Sequence, residues 1–299
     1  MKQRLGCLIG TFFLCVFITS LFFPIIAKAD VGPKPCVFIT FENMGEETCY
    51  GTLLSESSSK GPASAWDGDA AHVDIGNLDR DIWEAFAYYQ DADGYYFLQE
   101  AWLCSESKRL SWTYYPPDPF KILLYYPETD TFAVSGICER YAFDSYFSVD
   151  MSGVDPDAAG TQEPVLIAKK SYDYTGEVVS LIIRTVLTIV LEMGIALLFG
   201  FRQKRQLTLI AWVNIVTQVI LNVRLNIVNY NRGFLAFLVF YFCDEAIVFL
   251  IEAVLYGILL RRISEKPVPV WKTFLYALAA NVASFLCGIR LAVYIPSIF

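Results

Sequence analysis

Apolar residues gather into five long runs, and a long stretch with alternating polar and apolar positions separates the first run from the other four. The first run, Leu5–Ile26, follows Lys2 and Arg4 and precedes Ala27-Lys28-Ala29. A basic start, an apolar centre and a small-x-small site predict a cleaved secretory signal over 1–29. The other runs, 178–201, 207–228, 234–260 and 271–295, are each long enough to cross a bilayer as a helix. They predict an all-α four-helix transmembrane bundle within 177–299. Basic residues collect in alternate connections: Arg202, Lys204 and Arg205 in one, Arg261, Arg262 and Lys266 in another, with Lys272 close behind. The connection Asn229–Gly233 carries only Arg232. Positive charge stays on the cytoplasmic side, so the segment before the first span and the C-terminus are expected outside a cell membrane.

The alternating stretch, 30–152, reads as a β-rich, sandwich-like extracytoplasmic domain with one short helix. Cys36–Phe41 and Thr48–Leu54 flank the turn-like Glu42–Glu46 and predict a hairpin. Phe120–Tyr126 and Thr131–Ser135 flank Pro127–Asp130 and predict a second. Tyr95–Cys104 and Tyr141–Met151 are further strand candidates, and Asp81–Tyr89 reads as a helix capped by Asp79. Ser55–Ala71 is expected to be a loop, and 153–176 a linker to the membrane region.

Charge sharpens this division. The chain is 55% hydrophobic with a net charge of −8, yet residues 30–176 hold 25 acidic and 9 basic side chains, and residues 177–299 hold 6 and 11. So acidic an exported segment argues against nucleic acid or anionic lipid as its partner. Of eight cysteines, Cys36, Cys49, Cys104 and Cys138 lie in the exported part. They are candidates for disulfides, with three pairings open, or for four free thiols.

Polar residues inside the spans raise the question of chemistry. Glu245 and Glu252, seven apart, lie about 20° from one another on a helix, with Asp244 turned about 100° away. Glu192 sits near the middle of the first span, Asn214, Gln218 and Asn222 form a stripe on the second, and Asn281 and Ser284 lie in a small-residue seam on the fourth. An ionised side chain at mid-bilayer costs at least about 2.5 kcal/mol, so these groups are expected to face the bundle interior. Glu192, Asn214, Gln218, Asp244, Glu245, Glu252, Asn281 and Ser284 form the candidate intramembrane site. It serves either as hydrogen-bonding glue or as a cavity for a cation, a proton or a ligand headgroup. Arg184, Arg224 and Arg290 reach either the headgroups or a buried carboxylate. His72 is the single histidine and lies far from every span. Intramembrane zinc or Ser–His hydrolysis has no histidine to use, no Gly-rich phosphate loop is present, and neither an enzymatic activity nor a cofactor is expected.

In the exported domain, Asp91, Asp93 and Glu100 have partial spacing for a calcium loop, but Tyr89 stands at its first ligand position and a strand pattern follows, so a plain turn is the expected reading. No other metal ligand set is apparent. Tyr95, Tyr96, Trp102, Trp112, Tyr114 and Tyr115 are candidate ligand-facing aromatics, suited to stacking on sugars or equally to lining a sheet surface.

The segments DVGPKP, FENMGEETCYGTLLS and WTYYPPDPFKILLYYPETDTFAVSG resemble a group of clostridia-type bacterial membrane proteins of unassigned function. The membrane half, through Asn214, Glu245, Val248, Glu252, Asn281 and Ser284, resembles four-helix regions of other bacterial proteins. The resemblance implies a secreted β-rich domain ahead of a C-terminal membrane region in a Gram-positive envelope, and transfers no site. The expected function is that of an accessory or sensory envelope protein. Its expected partners are the bilayer, another membrane protein or a cell-wall glycan, with self-association also open. The alternative is a transporter or transport component that uses the intramembrane carboxylates.

Overall fold

The structure, a computed structural model, describes residues 32–158 and 160–294. The expected signal segment 1–29 lies outside the described residues. Two mixed sheets account for most of the N-terminal region. One has the strand order β11-β9-β1-β6, where β1 is Cys36–Glu42, β6 Arg109–Trp112, β9 Asp144–Asp150 and β11 Ala168–Lys170. The other has the order β10-β8-β7-β2-β5, where β2 is Tyr50–Ser55, β5 Trp102–Leu103, β7 Phe120–Tyr126, β8 Thr131–Ser135 and β10 Gly160–Leu166.

The hairpin expected between β1 and β2 does not form. β1 pairs in parallel with β9 and antiparallel with β6, while β2 pairs with β7 and β5. Both strands send alternate apolar residues, Val37, Ile39 and Phe41 from one and Leu53 from the other, into the same core. They therefore face each other across that core instead of lying side by side. The β7–β8 hairpin forms as the sequence predicts.

β7 is buried along its whole length. Its alternate residues Phe120, Ile122, Leu124 and Tyr126 enter the core shared by the sheets, and Leu123 and Tyr125 point to the opposite face. Helix α1, Arg80–Tyr88, covers that face with Ile82, Trp83 and Phe86. A strand enclosed on both sides is free to be largely apolar, which accounts for the run FKILLYY, interrupted only by Lys121.

Three further segments differ from the sequence reading. Ser55–Ala71 contains a small hairpin of β3, Ser59–Lys60, and β4, Ala63–Ser64. The expected linker 153–176 contributes β10, parallel to β8, and β11, antiparallel to β9, one edge strand to each sheet. Of Tyr95–Cys104, only β5 is strand, with one bridge from Tyr96 to Ser55.

The C-terminal region has three helices long and apolar enough to span a membrane, not four: α2, Tyr174–Leu198; α3, Lys204–Ile263; and α4, Val270–Tyr294. The second and third expected spans are joined in α3. At 1.5 Å per residue its 60 residues would extend about 90 Å if straight. Gly233 interrupts it with φ 78° and ψ 177°, and Asn214 hydrogen-bonds Tyr256 across the two arms, so α3 doubles back. Polar side chains (Asn214, Thr217, Gln218, Asn222, Asp244, Glu252) line its buried stripe, and Trp212, Val216 and Ile220 are exposed. Such an inside-out arrangement suits a lipid surround.

At one end of the helices Gln206 hydrogen-bonds Ser264 and Lys272 lies over Phe201, which gathers the basic segments 202–205 and 261–272. At the other end the Phe143 amide donates to the Tyr230 carbonyl at 2.8 Å. The Phe143 ring also presses on Gly233, where an added Cβ would meet a ring carbon at 2.5 Å. Tyr141, Tyr172, Tyr174 and Tyr230 complete an aromatic joint between the β-rich region and the helices.

Candidate functional site

Two places bring polar groups together. The first is a cleft of about 670 Å³ in the β-rich region, walled by Pro62–Ala65, Asp67, Ala71–Asp74 and Leu98–Glu100. Gln99 builds it. Its backbone sits in the left-handed region at φ 62°, and its buried side chain accepts from the Asp74 amide and donates to the Ser64 and His72 carbonyls. One side chain thereby ties three segments into a wall. His72 Nδ1 lies 2.8 Å from Asp67 Oδ2. Ser64 lines the same cleft, but no hydrogen bond joins a serine hydroxyl to the imidazole among the described residues, so no catalytic triad is assembled. Burial, aided by the Asp74 charge, pushes the Glu100 carboxyl above its usual range. A neighbouring hollow of about 500 Å³ shares Asp74, Gln99 and Glu100 and extends along Trp102 and Tyr50. Carboxylates, an imidazole and an aromatic edge suit a cationic or polyhydroxyl ligand.

The expected aromatics divide. Tyr96, Tyr114 and Tyr115 are exposed and Trp102 is half-buried, whereas Trp112 is 1% exposed in the core against Trp102 and cannot face a ligand. Tyr95 lies beneath Lys121. That lysine also meets the aspartates of the partial calcium spacing. The buried Lys121 ammonium is 2.8 Å from Asp91 and 2.7 Å from Asp93, occupying the place a cation would take. Asp91 also accepts from the Asp93 and Tyr95 amides, which makes the segment a tight turn. Burial alone would pull the Lys121 ammonium down, but the hydrogen bonds and charges of both aspartates hold it above the usual lysine range. Glu100 stands apart in the cleft. Cys36, Cys49, Cys104 and Cys138 are free thiols. Cys49 and Cys104 are adjacent across β2 and β5, with the Cys104 amide donating to the Cys49 carbonyl at 2.8 Å. Burial pushes the Cys49 thiol up to about 12 and that of Cys104 well above the usual range.

The second place is the helix interior. Glu252 is fully buried; Oε1 accepts from Thr217 at 2.7 Å and Oε2 from the Asn281 amide at 2.8 Å. Glu192, also fully buried, lies beside Asn214 and within range of the Glu252 charge. Asn214 donates to the Tyr256 hydroxyl, and Tyr276 donates to the Glu192 carbonyl oxygen. Glu245, two turns from Glu252, is half-buried beside Tyr241 and lines a crevice with Gln218, Ser284 and Arg184. Arg184 also lines a second crevice of about 240 Å³, together with Asp173 and Glu177. Asp244 is separate and pairs with Arg224 at 3.3 Å. Of the expected site, Glu192, Asn214, Glu252 and Asn281 are thus gathered, Gln218, Glu245 and Ser284 adjoin them, and Asp244 does not belong. Tyr256 and Tyr276 escape a reading based on polarity because tyrosine is common in apolar helices. The cleft escapes it because its walls meet only through Gln99.

No family model, curated protein or solved structure matches the chain.

Proposed function

We propose that this chain is a cell-envelope membrane protein with an accessory or sensory role. Its β-rich, sandwich-like domain presents an acidic cleft to an extracytoplasmic ligand, and its helices couple that domain to the membrane or to a membrane partner. The observation that carries the reading is the joint. Phe143 is hydrogen-bonded to Tyr230 and packed on Gly233, and β10 and β11 hold the preceding segment within the sheets. A domain that served only as a tethered binding module would need no such attachment.

The two arms of α3 act as separate passes, making four crossings. The basic segments 202–205 and 261–272 sit at the end away from Phe143, so that end faces the cytoplasm and the β-rich domain faces out. The cleft takes a cationic or sugar-like ligand from the wall.

The test is titration of the full chain, in detergent, with soluble peptidoglycan fragments. Asp74→Asn with Glu100→Gln should weaken binding at least about tenfold, or about 1.4 kcal/mol. Absence of binding, or equal binding by the double variant, would remove the cleft from the account. A transport role is the second reading, favoured by the fully buried Glu192 and Glu252.

A further inference from the structure

Apart from the Tyr256 hydroxyl hydrogen, the side-chain hydrogen atoms around Glu192 and Glu252 are already spoken for. The Asn214 amide gives its two to the Ile210 carbonyl at 3.0 Å and the Tyr256 hydroxyl at 3.0 Å. The Asn281 amide gives its two to the Ala277 carbonyl at 3.0 Å and Glu252 Oε2 at 2.8 Å. Thr217 has one, directed at Glu252 Oε1 or at a helix carbonyl. Rotating either amide by 180° would place its oxygen against a carbonyl oxygen, so both orientations are fixed.

What remains are acceptors. Both carboxylate oxygens of Glu192, Oδ1 of Asn214 and Oδ1 of Asn281 are buried and meet no donor in hydrogen-bond geometry. Glu192 is 0% exposed, and its carboxyl faces Asn214 and the Glu252 charge. Leaving a buried acceptor unsatisfied costs about 1–3 kcal/mol, and more for a charged one. A proton on Glu192 turns one of its oxygens into a donor to one further acceptor, which leaves two of the four without a partner. A cation satisfies several oxygens at once and offsets the carboxylate charge.

We propose that Glu192 and Glu252, with the side-chain oxygens of Asn214 and Asn281, form an intramembrane site for a hard, oxygen-bound metal cation. The donor set is carboxylate and amide oxygen, which suits alkali or alkaline-earth ions and not soft metals. Among the described residues no three or more His, Cys, Asp or Glu side chains are grouped to hold a metal, so the amides are a required part of the set. A divalent ion neutralises both carboxylates; a monovalent one does so when one of them keeps a proton. The site spans three helices, since Glu192 lies on α2, Asn214 and Glu252 on the two arms of α3, and Asn281 on α4. Occupancy therefore ties the helical region together. This inference is independent of the cleft and of any ligand bound there.

The experiment is thermal unfolding of the full chain in detergent, at fixed ionic strength and pH, in choline chloride against chlorides of lithium, sodium, potassium, magnesium and calcium. At least one metal should raise the melting temperature by about 3 °C or more, in a saturable manner. Glu192→Gln should abolish the rise, and Asp244→Asn, outside the cluster, should keep it. If Glu192→Gln does not fold, equilibrium binding of the radioactive ion to the wild-type chain replaces it, with about one ion per chain expected. No metal-specific rise, a rise retained in Glu192→Gln, or no bound ion overturns the proposal.

Discussion

Lys121 is the second residue of β7, between Phe120 and Ile122, and its ammonium ends between Asp91 and Asp93. Removing one partner of a buried pair leaves an uncompensated charge, and Asp91 has no exposed surface with which to reach water. Lys121→Met should therefore destabilise the chain by about 3–5 kcal/mol, read by chemical unfolding of the detergent-solubilised protein. Because Lys121 is held above the usual lysine range, its contribution is complete below about pH 10.4 and fades as pH rises through the folded value. A loss under about 1 kcal/mol would mean that the aspartates do not depend on the lysine. Lys121 also shows what a sequence conceals. Asp91, Asp93 and Gly94 look like part of a cation loop, and the cation supplied is a side chain thirty residues away in sequence.

At the scale of elements, what was legible is what periodicity controls. The apolar runs after residue 177 appear in helices, the α1 amphipathic pattern appears with Trp83 and Phe86 inward, and the β7–β8 turn is local enough for its residues to specify it. The β1–β2 pairing was not legible, because alternation says which residues face a core and not which sheet carries them. The segment expected to be a linker contributes two strands, because it finds open sheet edges to pair with. In the helices, Glu192, Asn214, Glu252 and Asn281 could be nominated because polar groups in hydrocarbon must face inward, whereas the exclusion of Asp244 depends on Arg224 reaching it. Gly233 is the element-scale position with the largest consequence. Its φ of 78° disfavours any side chain, and Phe143 fills the space a Cβ would need. Gly233→Val should lower stability by at least about 2 kcal/mol and open Asn226–Arg232 to limited proteolysis. Unchanged proteolysis at that segment would show that the joint does not depend on the glycine.

On the scale of the whole molecule, the acidic β-rich region and the helices are fastened at Phe143, Tyr230 and Gly233, on the end opposite the basic segments. The account rests on that attachment carrying the state of the cleft to the helices. Hydrogen–deuterium exchange on the full chain in lipid nanodiscs, with and without soluble peptidoglycan fragments, tests it most directly. Coupling predicts slower exchange over 62–74 and 98–103 together with a change over 226–236. Protection confined to the cleft, with residues 226–236 unmoved, would contradict it.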